Sequence, residues 1–283
     1  MNIDQFLQHD SFIERGARSR AKALLDAGSM RELVGPFDRI ASPWLAMQHL
    51  VTQADDGVVV AKGMLDGQPT LVLAIEGAFQ GGSMGEVGAA KIAGALELAA
   101  RDNRKGVPMR AVIVFETGGV RLQEANLGLA GIAEIHAAIV DLRRYQPVIG
   151  VSAGTVGCYG GMAIAAGLCS YLVLTREARL GLNGPQVIEQ EAGPAEFNAR
   201  DRALIWSLTG GEQRCASHLA DVLVEDDSAA IRATLARLFA QGHPPRQRSD
   251  RYADFLAALA QVDTATQATS EAVRSIYQRG IAP

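Results

Sequence analysis

The stretch AVIVFETGG, residues 111–119, holds the pattern that decides the fold of this chain. Its first five residues form a continuous apolar run rich in β-branched side chains, which predicts a strand. Thr117-Gly118-Gly119 breaks the strand, and a stretch with helical spacing of apolar residues follows, from about Arg121 to Arg144. Six residues are spaced to form one buried stripe on that helix: Leu122, Leu129, Ile132, Ile135, Ile139 and Leu142. The sequence therefore predicts a strand, a glycine turn and a helix in succession.

The same unit recurs towards the N-terminus. Residues 58–65 and 70–76 predict two strands, and Asp66-Gly67 between them is a strong hairpin turn. Ser83 and Glu86 have the spacing of a capping box, which predicts a helix from Ser83 to about Asn103. Further upstream, Ser11 to Ala27 predict an amphipathic helix that is closed by Gly28.

The unit also recurs towards the C-terminus. Pro147 to Val151 predict a strand, which is followed by a glycine loop at residues 154–161 and a short helix of small residues. Three more short strands are predicted, at Tyr171–Leu174, Ala178–Leu182 and Val222–Val224. After Gly184-Pro185 the chain is mainly helical. The order of hairpin, strand–helix units and helical tail predicts an α/β architecture.

Composition sets the broad class of protein. The chain has 283 residues, of which 48% are apolar and 20% are charged, so it forms one large domain or two small ones and is not disordered. A net charge of −4 argues against a general nucleic-acid binder. Three cysteines without a C-x-x-C motif indicate neither a disulfide framework nor a zinc ribbon. With no apolar signal core and no membrane-length segment, the expected location is the cytoplasm.

Glycine is unevenly distributed along the chain. Of the 30 glycines, 19 lie between Gly77 and Gly184. Three glycine pairs stand where a loop enters a predicted helix: Gly81-Gly82, Gly118-Gly119 and Gly160-Gly161. Glycine permits unusual φ angles and leaves room for a ligand, and the amide N–H groups at a helix start carry the positive end of the helix dipole. The pairs therefore predict a site where backbone amides stabilise an oxyanion, although plain strand–helix packing also uses glycines.

A nucleophile elbow is a second interpretation of the glycine-rich region. Residues 150–154, GVSAG, match G-x-S-x-G after a predicted strand, and His218 or His243 are the available histidine partners of Ser152. However, glycines continue where a helix should open, and no HGGG-type loop precedes the motif. No dinucleotide or P-loop motif is present. Three basic clusters, around Arg18, Arg104 and Arg248, form either solvated surface or a phosphate site.

Four segments resemble the carboxyltransferase branch of the crotonase superfamily. RSRAKALLDAGSMREL, residues 18–33, resembles the N-terminal helix and turn of carboxyltransferase subunits, and FQGGSMG, residues 79–85, resembles their FxGGSMG loop. TGGVRLQE, residues 117–124, is similar to SGGARMQE, and GPQVIEQ, residues 184–190, is similar to GPRVIEQ. The resemblance covers about residues 15–225. It implies a crotonase-like α/β fold with a ββα-repeat spiral core at about 55–225, an N-terminal helical arm at 1–54 and a C-terminal helical tail at 226–283.

Two kinds of subunit within this branch are similar to the chain. The β subunit of the acetyl-CoA carboxylase carboxyltransferase carries a four-cysteine zinc ribbon, which this sequence lacks. The β subunit of malonate decarboxylase has a similar length and no ribbon. The departures from the family segments, Thr117 for Ser, Val120 for Ala and Gln186 for Arg, also favour the malonate decarboxylase branch. The alternatives that stay open are an acyl-CoA carboxylase subunit and a non-catalytic scaffold of the same fold.

The resemblance implies decarboxylation of a malonyl thioester on an acyl carrier protein to the acetyl thioester and CO₂. Gly118 and Gly119 are then the expected oxyanion donors, aided by the dipole of the helix that begins near Arg121. Seven residues are expected to bind the substrate and its phosphopantetheine arm: Phe79, Gly82, Ser83, Gly160, Gly161, Pro185 and Gln186. Tyr159 is only a weak candidate for the proton donor to the enolate.

The resemblance also implies partners. The expected ones are a related γ-type carboxyltransferase subunit, which supplies the other oxyanion hole, and an acyl carrier protein subunit; neither nucleic acid nor membrane is expected. The chain itself is expected to hold no metal and no organic cofactor. Biotin dependence, and the choice between acyl carrier protein and coenzyme A as the thioester carrier, stay open.

Overall fold

The computed structural model describes residues 9–49, 57–263, 265 and 269–281. Within them a seven-stranded sheet has its strands side by side in chain order. The strands are β1 (Arg31–Val34), β2 (Val58–Leu65), β3 (Gln68–Ile75), β4 (Arg110–Phe115), β5 (Val148–Ser152), β6 (Tyr171–Thr175) and β7 (Val222–Val224). The first three strands pair antiparallel, and β3 to β7 pair parallel. The predicted hairpin is confirmed, since Asp66 and Gly67 join β2 to β3 with φ of 52° and 67°.

Ten helices surround the sheet in the described part of the chain. They are α1 (Ala17–Leu24), α2 (Glu86–Arg104), α3 (Asn126–Leu142), α4 (Gly161–Leu168), α5 (Pro185–Ala192), α6 (Arg202–Thr209), α7 (Gly211–Ala216), α8 (Ser228–Gln241), α9 (Tyr252–Leu259) and α10 (Ser270–Gly280). Helices α2, α3 and α4 cover one face of the sheet and share a core with Ile113 and Phe115 of β4. Helices α1 and α8 cover the opposite face, where Val112 and Val114 point. Strand β4 is thus buried on both faces, which explains its continuous apolar run.

A short bridging segment lies between a parallel strand and the next helix in each repeat of the core. These segments pair with one another as isolated β-bridges, Met84 with Val120, Thr117 with Cys158, and Cys158 with Leu180, all parallel. The repeating unit is therefore a long strand, a one-residue or two-residue bridge and then a helix, and successive units stack side by side. This arrangement confirms the predicted α/β fold with a repeating ββα core. The glycine pairs lie in or beside the bridging segments, which places them together at one edge of the sheet.

Two helices begin later than the sequence predicts. Helix α2 starts at Glu86, and Ser83 makes no capping box; the Glu86 N–H instead donates to Glu124 Oε2 at 2.6 Å. Helix α3 starts at Asn126, because residues 122–124 form a separate 3₁₀ turn. Leu122 and Leu129 are consequently 80% and 53% exposed, whereas the other four residues of the predicted stripe are buried. The prediction that a helix dipole begins near Arg121 is therefore wrong.

Other differences concern the ends of the chain. The predicted helix over residues 11–27 is shortened to α1, because the backbone N–H groups of Phe12 and Ile13 both donate to Asp226 Oδ1 at 2.9 Å. The arm over residues 1–54 is not wholly helical, since it contributes β1, and its residues 1–8 and 50–54 lie outside the described residues. Residues 178–182 form isolated bridges rather than the predicted strand, and the helical tail expected at 226–283 contains α10 as its last described helix.

Candidate active site

The two glycine loops that follow β4 and β5 meet backbone to backbone. A β-carbon placed on Gly119 would lie 3.2 Å from the Tyr159 carbonyl oxygen and 3.4 Å from the Gly160 Cα. One placed on Gly160 would lie 3.3 Å from the Gly119 Cα. Both residues also have positive φ, 104° at Gly119 and 61° at Gly160, which disfavours any side chain. The sequence predicts that these two loops share a site, and the structure brings them together at this loop junction.

The amide N–H groups of the predicted donors are already bonded. The Gly118 N–H donates to the Gly81 carbonyl at 2.9 Å, and the Gly119 N–H donates to Thr117 Oγ1 at 3.1 Å. The next amide, Val120, has no hydrogen-bond acceptor among the described residues, and its nitrogen lies 3.9 Å from the β-carbon position of Gly160. Gly161 begins α4, where first-turn N–H groups have no partner within the helix. In this structure the available donors at the loop junction are thus Val120 and Gly161, and Gly118 and Gly119 shape the backbone that presents them.

The segment that resembles FxGGSMG packs directly on the loop junction. The Met84 N–H donates to the Gly119 carbonyl at 2.7 Å, and the Arg121 N–H returns a bond to the Met84 carbonyl at 2.8 Å. A β-carbon on Gly82 would lie 1.9 Å from the Glu116 carbonyl oxygen, so only glycine permits this approach. Phe79 and Ser83 both contact Arg121, whose guanidinium lies 5.6 Å from the Phe79 ring centroid and donates to the Ser83 carbonyl at 3.0 Å.

The chain just before the segment that resembles GPRVIEQ is hydrogen-bonded to the junction. The Gly160 N–H donates to the Leu182 carbonyl at 2.8 Å, just before α5 begins. At the start of α5, Pro185 is buried and Gln186 is exposed. Two of the segments that carry the family resemblance, residues 79–85 and 117–124, therefore form or pack on the junction, and the segment at 184–190 follows a residue that is bonded to it.

Two buried ion pairs, neither of them predicted from the sequence, flank the glycine turn. Arg121 and Glu124 lie 2.9 Å apart with side chains 6% exposed, and Glu124 also accepts the Glu86 N–H at the start of α2. The pair therefore joins the TGGVRLQE segment to the start of α2, directly after the FQGGSMG segment. The only sequence signal for it is the Arg and Glu at fixed spacing in the TGGVRLQE segment.

The second pair joins Arg20 of α1 to Glu116, the residue before Thr117. Both side chains are 5% exposed. The other Glu116 oxygen accepts the Val156 N–H at 2.7 Å, in the loop after β5. Arg20 also donates to the carbonyls of Phe12 and Ile13, at 3.0 and 2.8 Å. One carboxylate thus connects the N-terminal helix to both glycine loops.

Most arginines of the three basic clusters, for which a phosphate site was one interpretation, form ion pairs with carboxylates of the same chain. The pairs are Arg15–Asp10, Arg18–Glu32, Arg20–Glu116, Arg104–Asp141, Arg248–Asp221 and Arg251–Asp254. This pairing favours the interpretation as structural surface over a phosphate site.

Tyr159 is poorly placed to give a proton to an enolate. Its side chain is 5% exposed, and its ring lies 5.9 Å from the guanidinium of Arg179. Burial raises the pKa of the Tyr159 phenol above its usual value of 10.0. A higher pKa makes the phenol a weaker acid, so the structure does not favour this role.

Ser152 does not form a nucleophile elbow. It is the last residue of β5, is fully buried, and its Oγ has no hydrogen-bond partner within the described residues. Because a nucleophile must reach substrate and a general base, we expect Ser152→Ala to keep full activity. Its stability should change by less than about 1 kcal/mol, since no hydrogen bond is lost. Steady-state assays and urea unfolding of the variant check both expectations, and loss of turnover with an intact fold would restore the hydrolase interpretation.

Comparison with known proteins identifies the family of the chain. A model of the carboxyl transferase domain matches residues 14–267, which include both glycine loops and both buried ion pairs. The chain belongs to the carboxyl transferase domain family. The malonyl-S-ACP:biotin-protein carboxyltransferase MADC of Malonomonas rubra is 40% identical to it over 238 residues, which are 81% of this chain and 75% of that protein.

Solved structures of carboxyl transferase domain proteins are also similar. A chain in the crystal structure of a Pseudomonas malonate decarboxylase hetero-tetramer in complex with malonate is 65% identical, with a TM-score of 0.93. The match covers 98% of this chain and 100% of that one. A chain of the Pseudomonas malonate decarboxylase MdcD-MdcE hetero-dimer is 62% identical, with a TM-score of 0.76, over 89% of this chain and 97% of that one. The resemblance to this branch of the crotonase superfamily is confirmed.

Two further findings concern the described residues alone. They contain no helix that is both long and apolar enough to cross a membrane. They also contain no group of three or more His, Cys, Asp or Glu side chains arranged to hold a metal ion.

Proposed function

We propose that this chain is the β-type subunit of a cytoplasmic malonate decarboxylase. Its substrate is a malonyl thioester on the phosphopantetheine arm of an acyl carrier protein, and its products are the acetyl thioester and CO₂. The observation that carries the proposal is the loop junction, where the backbones of Gly119 and Gly160 meet and the next amides in each loop, Val120 and Gly161, donate no hydrogen bond within the described residues. The 65% identity to a chain of a malonate decarboxylase, and the name malonyl-S-ACP:biotin-protein carboxyltransferase of the Malonomonas relative, support a malonyl thioester as the substrate.

The junction suits the difficult step of this reaction. When the bond between the thioester α-carbon and the carboxylate breaks, its electron pair moves to the thioester oxygen and leaves an enolate, while CO₂ departs. Two preorganised N–H donors at that oxygen contribute about 3–4 kcal/mol each to the transition state. Helix α4 begins at Gly161, so its dipole adds to the effect. The enolate carbon then takes a proton from water or from an acid, and the backbone of this chain needs no cofactor for either step.

The surface beside the junction favours a protein partner. Five large apolar side chains on segments attached to the two loops are 45–80% exposed: Leu122, Leu129, Ile164, Leu182 and Val187. Exposed apolar side chains that border a site are typical of a protein interface. The similar Pseudomonas chains come from a hetero-tetramer and a hetero-dimer. We assign this surface to a γ-type carboxyltransferase subunit, which closes the site and leaves an entrance for the acyl carrier protein.

The proposal predicts that the chain is active only in complex with its partner. We expect CO₂ release from a ¹⁴C-carboxyl malonyl thioester when the chain and the γ-type subunit are combined, and only background release from either alone. Adding a biotin-carrier protein tests whether CO₂ is released or transferred, as the name of the Malonomonas protein indicates for that relative. A combined pair that consumes no malonyl thioester would contradict the proposal, and a pair that turns over with Gly119 and Gly161 both replaced would support the scaffold alternative.

A further inference from the structure

One side chain of α3 reaches the first residue of α4. His136 Nε2 lies 2.7 Å from the Gly161 carbonyl oxygen, and the ring is half-buried. A carbonyl oxygen only accepts hydrogen bonds, so Nε2 carries the proton and donates. Within α4 the same oxygen is also placed to accept the N–H of the residue four positions later. Its second lone pair accepts the hydrogen bond from His136. The contact is a hydrogen bond to a backbone atom at the loop junction, and not apolar packing in the core.

A second residue of α3 contacts Gly161 from the same face. Ile132 precedes His136 by four residues, so the two side chains lie one turn apart on one side of the helix. A β-carbon on Gly161 would lie 2.8 Å from Ile132 Cγ2, and Ile132 is 3% exposed. Ile132 therefore limits how closely α4 approaches α3, while His136 holds the carbonyl of the same residue. Together they set both the position and the orientation of the start of α4.

The start of α4 needs such contacts because a glycine has no side chain to restrict its backbone conformation. Gly160 and Gly161 are adjacent, Gly160 has a φ of 61°, and neither has a side chain that packing can anchor. The Gly161 N–H is one of the two free donors at the loop junction. An oxyanion donor contributes only when it points at the position that the oxygen takes in the transition state, and small displacements cost rate.

We propose that His136 is a positioning residue of the oxyanion site, which holds the Gly161 carbonyl and so limits the backbone rotation of Gly161, on which the direction of the Gly161 N–H depends. The inference rests on the proposed function, because it names a residue that orients the donors of that reaction. His136 does not contact the substrate in this role. Its effect falls on the enolate, which exists only during the chemical step, so it alters kcat and leaves KM nearly unchanged.

The test compares three substitutions in the complex of the chain with its γ-type partner. His136→Leu removes the donor at similar volume, and we expect kcat to fall about tenfold with KM within about twofold, the effect of one lost hydrogen bond in the transition state. His136→Gln places an amide N–H at nearly the reach of Nε2 and should restore most of kcat. His136→Asn is polar but one bond shorter, and it should resemble the Leu variant. Glu134→Leu, at an exposed position of the same helix, is the matched control and should keep wild-type kcat.

The outcomes separate the inference from the function on which it rests. A wild-type complex without CO₂ release overturns the proposed function, whatever the variants do. An active wild-type complex, with His136→Leu or His136→Asn at wild-type kcat, overturns only the role of His136. If His136→Leu fails to assemble, the Gln and Asn pair decides, since both keep a polar side chain and differ in reach. Equal kcat in that pair, or a loss confined to KM or to the amount of complex, contradicts a positioning role.

Discussion

Gly119→Ala should lower kcat of the assembled complex by about 100-fold or more, the size of effect that follows loss of an oxyanion-hole donor. The methyl group would lie 3.2 Å from the Tyr159 carbonyl oxygen and 3.4 Å from Gly160 Cα, in the contact between the two loops. The φ of 104° adds strain, because alanine rarely adopts that conformation. Both effects push the glycine loop after β4 away from the glycine loop after β5. The Val120 N–H then moves relative to the Gly161 N–H. Single-turnover assays of the complex with malonyl thioester measure the change.

The neighbouring glycine supplies the control for this prediction. A β-carbon on Gly118 would lie 3.3 Å from the Gly81 carbonyl oxygen and meets no other atom within 4 Å, and Gly118 has no positive φ. Gly118→Ala should therefore cost less than about tenfold in kcat, the equivalent of one weakened hydrogen bond. Equal losses in the two variants would show that the turn matters only as a whole. A fully active Gly119→Ala complex would remove the loop junction as the site.

Arg20→Met should lower the free energy of unfolding by about 3–5 kcal/mol, because it leaves the Glu116 carboxylate buried without its cation. Glu116 is 5% exposed in its ion pair and is enclosed: a β-carbon on Gly154 would lie 1.2 Å from its Oε2. The carboxylate therefore has no room to turn towards water. Since Glu116 also accepts the Val156 N–H, we expect the residual folded protein to lose activity as both glycine loops shift. Urea unfolding followed by circular dichroism measures the stability, and the midpoint and slope are compared with wild type.

A matched pair on the same helix tests whether burial is the cause. Arg18 and Glu32 form an ion pair with side chains 53% and 24% exposed, so Arg18→Met should cost less than about 1 kcal/mol. Combining Arg20→Met with Glu116→Gln should recover part of the loss, because the second change removes the uncompensated charge. A small effect of Arg20→Met alone would mean that the Glu116 site admits water and that α1 does not anchor the loops.

The sequence predicts most of the elements that carry the site. The apolar runs at residues 58–65 and 111–115 are strands in the structure, and Asp66-Gly67 is the hairpin turn. These features depend on neighbouring residues along the chain, so a local pattern is sufficient to recognise them. Strand β1 is not predicted, because it is four residues long with no alternation strong enough to mark it, and it exists by pairing with β2.

The sequence predicts which loops form the candidate site, but not which of their N–H groups are free. Glycine content predicts that Gly118-Gly119 and Gly160-Gly161 share one site, since close backbone approach requires glycines at successive strand ends, although strand–helix packing also uses them. Which N–H groups are free depends on which of them already donate hydrogen bonds. The Gly81 carbonyl accepts the Gly118 N–H, and Thr117 Oγ1 accepts the Gly119 N–H. The sequence shows no sign of the first bond, because its partners come from different repeats of the fold.

The sequence by itself determined most strands and helices of the core, the glycine turns between them and the family to which the chain belongs. The tertiary structure alone decided where α2 and α3 begin, which amides stay free and what holds the loops in place. The capping carboxylate of α2 comes from Glu124, 38 residues from Glu86, and Glu116 is 96 residues from Arg20. Apolar periodicity and glycine act within a few residues, whereas hydrogen bonds and buried charges need partners that only folding brings within about 3 Å.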